Sequence, residues 1–177
     1  MIFVSHVLGI PRRGCGFMPC PHGRGLPMSA PQIKIIHDEP NPTVVLWVSR
    51  HDPLYSQIKA LKQRLGSVRI VKLSGVVPNA DYVVKVAEQY HAKVIVPVLP
   101  LSFIARLAEL APKKGVTVLF AKMEELCRTT NKKEAEALVS QNPYARTMVE
   151  YSNGIYRVWE FKGFEKLVKV EIVTEPW

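Results

Sequence analysis

Between Thr43 and Phe120 the chain alternates short, almost entirely apolar segments with segments whose apolar residues recur at helical spacing. The apolar segments VVLWV, VIVPV and VTVLF are typical of strands that are covered on both faces. Alternation of strand and helix in units this short predicts a parallel sheet with right-handed crossovers. We therefore predict an α/β fold with a Rossmann-like open parallel sheet of about four strands and helices on both faces.

The element boundaries follow from the residue pattern and from capping residues. The predicted strands are 43–49, 68–73, 93–98 and 116–120, and the predicted helices are 54–65, 80–91, a helix opened by Ser102, and 132–140. Asn79 is the predicted N-cap of the second helix, and Asn131 and Glu134 occupy capping-box positions at the last. We expect these residues in the core of the sheet: Leu46, Val48, Ile70, Ile95, Val96, Val118 and Leu119. We expect these helix residues to pack on it: Leu61, Val84, Ala87, Leu107 and Leu138.

The two ends of the chain differ from this central pattern. Residues 1–42 hold seven of the fourteen prolines and five of the ten glycines, without a sustained period, and predict an irregular N-terminal arm. Because MSAPQ at Met28 resembles an ordinary protein start, residues 1–27 are interpreted as a candidate gene-model extension, and their removal is expected to change the melting temperature little. Residues 43–177 are predicted to form one α/β domain.

Residues 146–177 predict an antiparallel β-meander of three strands. Glycine-bearing turns are predicted at 152–154 and 162–163. Aromatic residues are concentrated here: Tyr151, Tyr156, Trp159, Phe161 and Phe164. A packed cover or a dimer surface explains them better than base stacking does.

The formal net charge of +9, with a pI near 9.6, favours an acidic partner such as a nucleotide or RNA. The segment 53–80 carries five bases and no acid, and these bases form the candidate nucleic-acid surface: Lys59, Lys62, Arg64, Arg69 and Lys72. The alternative is an ordinary solvated helix face. Three widely spaced cysteines and the lack of an apolar run of about 20 residues predict a cytoplasmic protein with no membrane segment.

Several standard sites are not indicated. The chain has no G-x-G-x-x-G after its first strand and no P-loop, so neither a standard dinucleotide enzyme nor a P-loop ATPase is predicted. Cys15, Cys20 and His22 lack a fourth ligand at zinc spacing, and Cys127 is interpreted as a buried thiol. We predict no metal and no cofactor.

The turn SRHDP, residues 49–53, is the main candidate site. If the first strand is central, in the order 2-1-3-4, this turn meets the loops LSG and PVLPLS at the carboxyl edge of the sheet, where ligands of such sheets bind. Arg50 and His51 are the candidate catalytic residues, and the candidate ligand-binding residues are Ser49, Arg50, Ser74, Gly75 and Ser102. A structural alternative makes Asp52 the N-cap of the next helix and Pro53 its first residue.

In the segment VVLWVSRHDPLYSQIKAL, the residues Ser49, His51, Pro53 and Leu54 resemble the Ser-x-His-x-Pro-Leu-like turn of small Rossmann-like proteins associated with type III CRISPR systems. The resemblance covers the first strand and helix. It implies a symmetric dimer that binds a cyclic oligoadenylate, and in some members cleaves it without metal, the ribose 2′-hydroxyl attacking its own phosphate.

Three functions therefore stay open. The first is a nucleotide or cyclic-oligonucleotide binder, with or without ring-nuclease activity. The second is a non-enzymatic nucleic-acid-binding accessory protein that uses the basic surface, and the third is an oligomerisation module whose meander pairs two subunits. A steep loss of affinity with salt would distinguish the second from the first.

Overall fold

The structure is a computed structural model that describes residues 30–171, 173 and 175. Within those residues the chain forms seven strands and four α-helices. The strands are β1 (Gln32–His37), β2 (Thr43–Val48), β3 (Val68–Ser74), β4 (Val94–Pro97), β5 (Thr117–Thr129), β6 (Arg146–Glu150) and β7 (Tyr156–Lys166). The helices are α1 (Tyr55–Leu65), α2 (Ala80–Gln89), α3 (Leu101–Leu110) and α4 (Lys132–Gln141).

The described strands form one mixed sheet in the order β1-β3-β2-β4-β5-β7-β6. Strands β3, β2, β4 and β5 are mutually parallel, whereas β1 pairs antiparallel with β3, and β7 pairs antiparallel with both β5 and β6. The predicted α/β class is confirmed, and β2 lies between β3 and β4 as expected. The sheet is larger than predicted, because three antiparallel strands extend a four-stranded parallel block.

Helices cover both faces of the parallel block. On one face, α1 packs Leu61 against Val45, Trp47 and Ile70. On the other face, α2 and α3 pack against Leu46, Val48, Val71 and Leu73. The predicted core residues Leu46, Val48, Ile70, Ile95, Val96, Val118, Leu61, Val84, Ala87 and Leu107 are buried, while Leu119 and Leu138 are only partly buried.

Strand β1 corrects the prediction that all of residues 1–42 form an irregular arm. Gln32–His37 pairs with β3, and its register shifts between Ile35 and His37. The sequence QIKI alternates as a strand should, but the shift places consecutive isoleucines at 35 and 36 and breaks the period. Pro31 and Pro40, which lie close to the two ends of this strand, also favour an irregular structure when only the sequence is considered. Residues 1–29 lie outside the described residues, so the truncation prediction is untested.

The meander also differs from its prediction. Strand β5 does not end at Phe120 but continues to Thr129, and β7 pairs with it from Leu119 to Thr129 while β6 pairs with β7. The predicted turn at 162–163 lies inside β7 instead. Gly163 has a φ of 145°, and the register with β5 shifts beside it, so the glycine permits a bulge within a continuous strand.

The capping predictions were partly correct. Asn79 accepts a hydrogen bond from the Tyr82 N–H at 2.8 Å, and Asn131 caps α4 as predicted. Glu134 does not close a capping box directly, because its carboxylate accepts from the Thr129 hydroxyl at 2.7 Å. The predicted cap Ser102 is wrong: α3 begins at Leu101 after Pro100, so Ser102 is already inside the helix.

Candidate functional site

The turn that follows β2 lies at the carboxyl edge of the parallel block. The Ser49 N–H donates to the Leu73 carbonyl at 3.1 Å, and the Val98 N–H donates to the Val48 carbonyl at 2.8 Å. The ends of β3 and β4 therefore flank the end of β2. Three of the predicted loops, those after β2, β3 and β4, are neighbours at this edge.

The backbone of the turn is held by side chains from β2 and β3 and by the turn's own serine. The Trp47 indole N–H donates to the His51 carbonyl at 2.9 Å, and Lys72 Nζ donates to the Arg50 carbonyl at 3.0 Å. Ser49 is buried, and its hydroxyl accepts from the His51 N–H at 3.0 Å. The predicted ligand residue Ser49 is thus placed inside the turn, where it fixes the backbone.

Arg50 and His51 point outward from this fixed backbone. Both residues are exposed, and no described residue forms a hydrogen bond or an ion pair with either side chain. The carboxylate of Asp52 pairs with Lys72 Nζ at 2.6 Å. The turn therefore presents a free guanidinium and a free imidazole, while its acid is already neutralised.

The structural alternative for Asp52 and Pro53 is wrong. The N-cap of α1 is Leu54, and the buried Gln57 supplies the cap, since its Oε1 accepts from the Leu54 N–H at 2.8 Å. The Gln57 amide Nε2 lies 3.8 Å from the Met123 sulfur, a weak acceptor.

Two tyrosines stand beside the turn, and sequence reasoning missed both. Tyr55 and Tyr144 are 62% and 64% exposed, and their ring centroids lie 5.3 Å apart at an angle of 58°. The Ser56 N–H donates to the Tyr144 carbonyl at 3.0 Å, which ties the α4–β6 connection to the start of α1. The Asn-Pro turn before Tyr144 is a sequence signal for an exposed loop, but it does not indicate which element the loop meets.

The α4–β6 connection is held in turn by Arg146. Its Nη1 donates to the Leu138 carbonyl at 2.9 Å, and its Nε lies 3.2 Å from a carboxylate oxygen of Glu160. Hydrogen bonds from Lys162 and then Arg146 lower the pKa of Glu160. This partly buried network fixes the position from which Tyr144 reaches α1.

The remaining predicted ligand residues lie at the same edge, at the end of β3 and in the first turn of α3. Ser74 is partly buried at the end of β3, and Gly75 is exposed with a φ of 90°. Ser102 is exposed in the first turn of α3. Two exposed apolar residues precede Ser102 in the chain, Val98 in the loop after β4 and Leu101 at the start of α3.

Most of the candidate basic surface is already paired with acids. Lys62 contacts Glu39, Arg69 binds Asp38 through two hydrogen bonds of 2.7 and 3.1 Å, and Lys72 pairs with Asp52. The Lys62 hydrogen bond, followed by that of the Val68 N–H, lowers the pKa of Glu39 to about 2. Among the described residues, the remaining bases of this surface, Lys59 and Arg64, have no ion-pair partner.

The other candidate groups of the sequence are its cysteines and acidic residues. Cys15, Cys20 and His22 lie outside the described residues, and Cys127 is a free, half-buried thiol. In the part of the chain that the structure covers, no three His, Cys, Asp or Glu residues are grouped to hold a metal ion. No helix in that part is both long and apolar enough to cross a membrane.

Comparison of the chain with protein-family models, curated proteins and solved structures finds no match.

Proposed function

We propose that the protein binds an anionic nucleotide or a short oligonucleotide at the carboxyl edge of its parallel strands. The observation that carries this proposal is the β2–α1 turn. Its backbone is fixed by Trp47, Ser49 and Lys72, while the side chains of Arg50 and His51 are exposed and unpaired among the described residues.

Preorganisation is the first physical support for the proposal. A loop that is already ordered loses little conformational entropy on binding, so contacts made by its side chains convert efficiently into affinity. The guanidinium of Arg50 can bind a phosphate through two hydrogen bonds. Asp52 would repel a phosphate, but its charge is compensated by Lys72.

The exposed tyrosines supply the second support. Tyr55 and Tyr144 present aromatic surface at the start of α1, the helix that follows the turn, and stacking of a base on a tyrosine contributes about 1–3 kcal/mol. Arginine next to exposed aromatic rings suits a ligand that combines a phosphate with a base. In this proposal the parallel block is Rossmann-like, and its ligand lies where such sheets bind nucleotides.

The proposal extends to cleavage of a cyclic oligonucleotide by a homodimer in the cytoplasm, as the resemblance to CRISPR-associated proteins implies. The ribose 2′-oxygen attacks the adjacent phosphorus, and the bond from phosphorus to the 5′-oxygen breaks, leaving a 2′,3′-cyclic phosphate and a 5′-hydroxyl. His51 accepts the 2′-proton, and solvent water supplies the proton that the leaving 5′-oxygen takes. Substitution His51→Ala should therefore slow cleavage more than it weakens binding.

Calorimetric titration tests the binding site directly. Wild type and Arg50→Ala are titrated with AMP, cyclic tetra-adenylate and short single-stranded RNA, each at low and moderate salt. We expect Arg50→Ala to cost about 1.5–3 kcal/mol of binding free energy, because it removes hydrogen bonds to a charged group. Lys93→Ala is the matched control, since Lys93 is an exposed base at the opposite, amino edge of β4.

Equal binding of every ligand by wild type and Arg50→Ala would show that the turn is only a connection. Binding that is lost steeply with salt and weakened by Lys59→Ala or Arg64→Ala would instead favour the basic surface as the nucleic-acid site.

A further inference from the structure

A second polar surface adjoins the turn on the β1–β3 edge of the sheet. An open depression of about 610 Å³ is lined by Gln32, Lys34, Ile36, Asp52, Lys72 and Ser74. It lies on the face covered by α1, where Ile36 packs against the same apolar cluster as Leu61. One side of the depression is therefore formed by the turn and the other by β1.

The charges in this depression are not balanced. Lys34 and Lys72 are direct partners in the antiparallel pairing of β1 with β3, so both side chains project from the same face. Like charges directly opposite each other destabilise a sheet. Asp52 compensates Lys72, but no described acid pairs with Lys34, which is exposed. An anion in the depression would relieve this repulsion.

The cross-strand pair next to Lys34 and Lys72 supplies uncharged hydrogen-bond donors. Gln32 lies opposite Ser74 in the same register, and both residues line the depression. An amide, a hydroxyl and a lysine ammonium are groups that bind phosphate oxygens. Ser74 thus belongs to this surface, although sequence reasoning assigned it to the same ligand site as Arg50.

The depression is continuous with the turn through Lys72. Its Nζ lies 3.0 Å from the Arg50 carbonyl oxygen and 2.6 Å from an Asp52 carboxylate oxygen. We infer that this depression is a second phosphate subsite, with Lys34 as its principal cation, and that the ligand of the turn is an oligonucleotide with two or more phosphates. This inference rests on the proposed function, because it assumes that Arg50 holds the first phosphate.

Binding measurements with ligands of different phosphate number test the inference. Wild type, Lys34→Ala, Lys34→Gln, Arg50→Ala and the control Lys93→Ala are titrated with AMP and with the linear 5′-phosphorylated dinucleotide pApA. We expect Lys34→Ala to weaken pApA binding about fivefold to tenfold and to leave AMP binding unchanged. Lys34→Gln should lose less affinity, because it keeps a hydrogen-bond donor. Arg50→Ala should weaken both ligands.

Lys34 is exposed on an edge strand, so thermal unfolding of both Lys34 variants should match that of wild type and show that any change in affinity is local. Unchanged pApA binding in Lys34→Ala, together with weakened binding in Arg50→Ala, would overturn the second subsite and leave the proposed function standing. An equal loss for AMP and pApA in Lys34→Ala would also overturn it, because Lys34 would then belong to the first phosphate site. Unchanged binding of both ligands in Arg50→Ala would overturn the proposed function itself.

Discussion

Ser49 and Ser102 lie at the same edge of the sheet but have different surroundings. Ser49 is 5% exposed and accepts the His51 N–H, whereas Ser102 is exposed and no described residue bonds its hydroxyl. Sequence reasoning treated both as ligand residues because each follows an apolar strand. The hydrogen bond of Ser49 can be identified only once the conformation of the turn is known.

Because Ser49 and Ser102 have different surroundings, we expect their substitution by alanine to lower the free energy of unfolding by different amounts. Ser49→Ala should destabilise the fold by about 1 kcal/mol, because it removes a partner of a backbone N–H in a partly buried turn. The variant should also weaken ligand binding, since the Arg50 and His51 backbone loses one of its restraints. Chemical denaturation measures the first effect and calorimetry the second.

Ser102→Ala is the control, and its free energy of unfolding should stay within about 0.5 kcal/mol of wild type, as is usual for exposed positions. A larger loss in Ser102→Ala than in Ser49→Ala would contradict the assignment of the turn.

At the scale of elements, α1 has two roles. Its apolar side seals one face of the parallel block through Leu61, which is 1% exposed, and its first residue is Tyr55. Within the described residues, α2 and α3 share the opposite face. The position of Tyr55 therefore depends on the packing of α1 against the parallel block.

Removal of the Leu61 side chain should lower the free energy of unfolding strongly. Leu61→Ala should destabilise the protein by about 2–5 kcal/mol, because it deletes a fully buried side chain from a cluster that contains Trp47 and Ile70. Lys59→Ala, an exposed substitution on the same helix, should stay within about 0.5 kcal/mol of wild type. Similar losses in the two variants, measured by chemical denaturation, would show that α1 does not seal this face.

For the whole molecule, the count of five bases and no acid over residues 53–80 overstates the free positive charge of that segment. The acids of the β1–β2 connection, Asp38 and Glu39, pair with Arg69 and Lys62, which belong to the segment that appears purely basic along the chain. The fold thus neutralises a large part of the candidate nucleic-acid surface. Among the described residues, the bases without an ion-pair partner include Lys59 and Arg64 of this surface, and also Arg50 and Lys34 at or beside the carboxyl edge.

The Glu39 pairing should make stability sensitive to acid. Because the folded-state pKa of Glu39 lies at about 2, below its ordinary value of 4.5, the carboxylate contributes stability that is present above pH 4.5 and is lost as the pH falls toward 2. The melting temperature of Glu39→Gln should therefore lie below that of wild type at neutral pH, and the gap should close as the pH falls through this window. Melting curves recorded across the acid range check this.

Lys62→Gln should reproduce much of the same pH-dependent gap, because the Lys62 hydrogen bond is the largest cause of the lowered pKa. The double variant should lose less than the sum of the two single variants. A gap that stays constant from neutral pH down to pH 2 would be inconsistent with the pairing.

The sequence alone determined the α/β class, the four parallel strands and most of the buried residues. Near-continuous apolar strands and helical periodicity are local patterns, and the burial that they demand leaves few arrangements of the chain. The central position of β2 entered the sequence argument as a condition, the strand order 2-1-3-4, and the pairing of β2 with both β3 and β4 confirms it. The position of the turn at the carboxyl edge followed from it.

Tertiary structure decided what lies around the turn. Tyr144 and Tyr55, and likewise Lys34 and Lys72, are distant in sequence, and no local pattern indicates that they meet. Strand β1 was not predicted, because its register shift breaks the alternation of apolar and polar residues. Glu39 neutralises Lys62 only because the connection between β1 and β2 brings the two residues together. Contacts between distant segments depend on strand order and register, which arise from packing of the whole sheet and not from the propensity of any one segment.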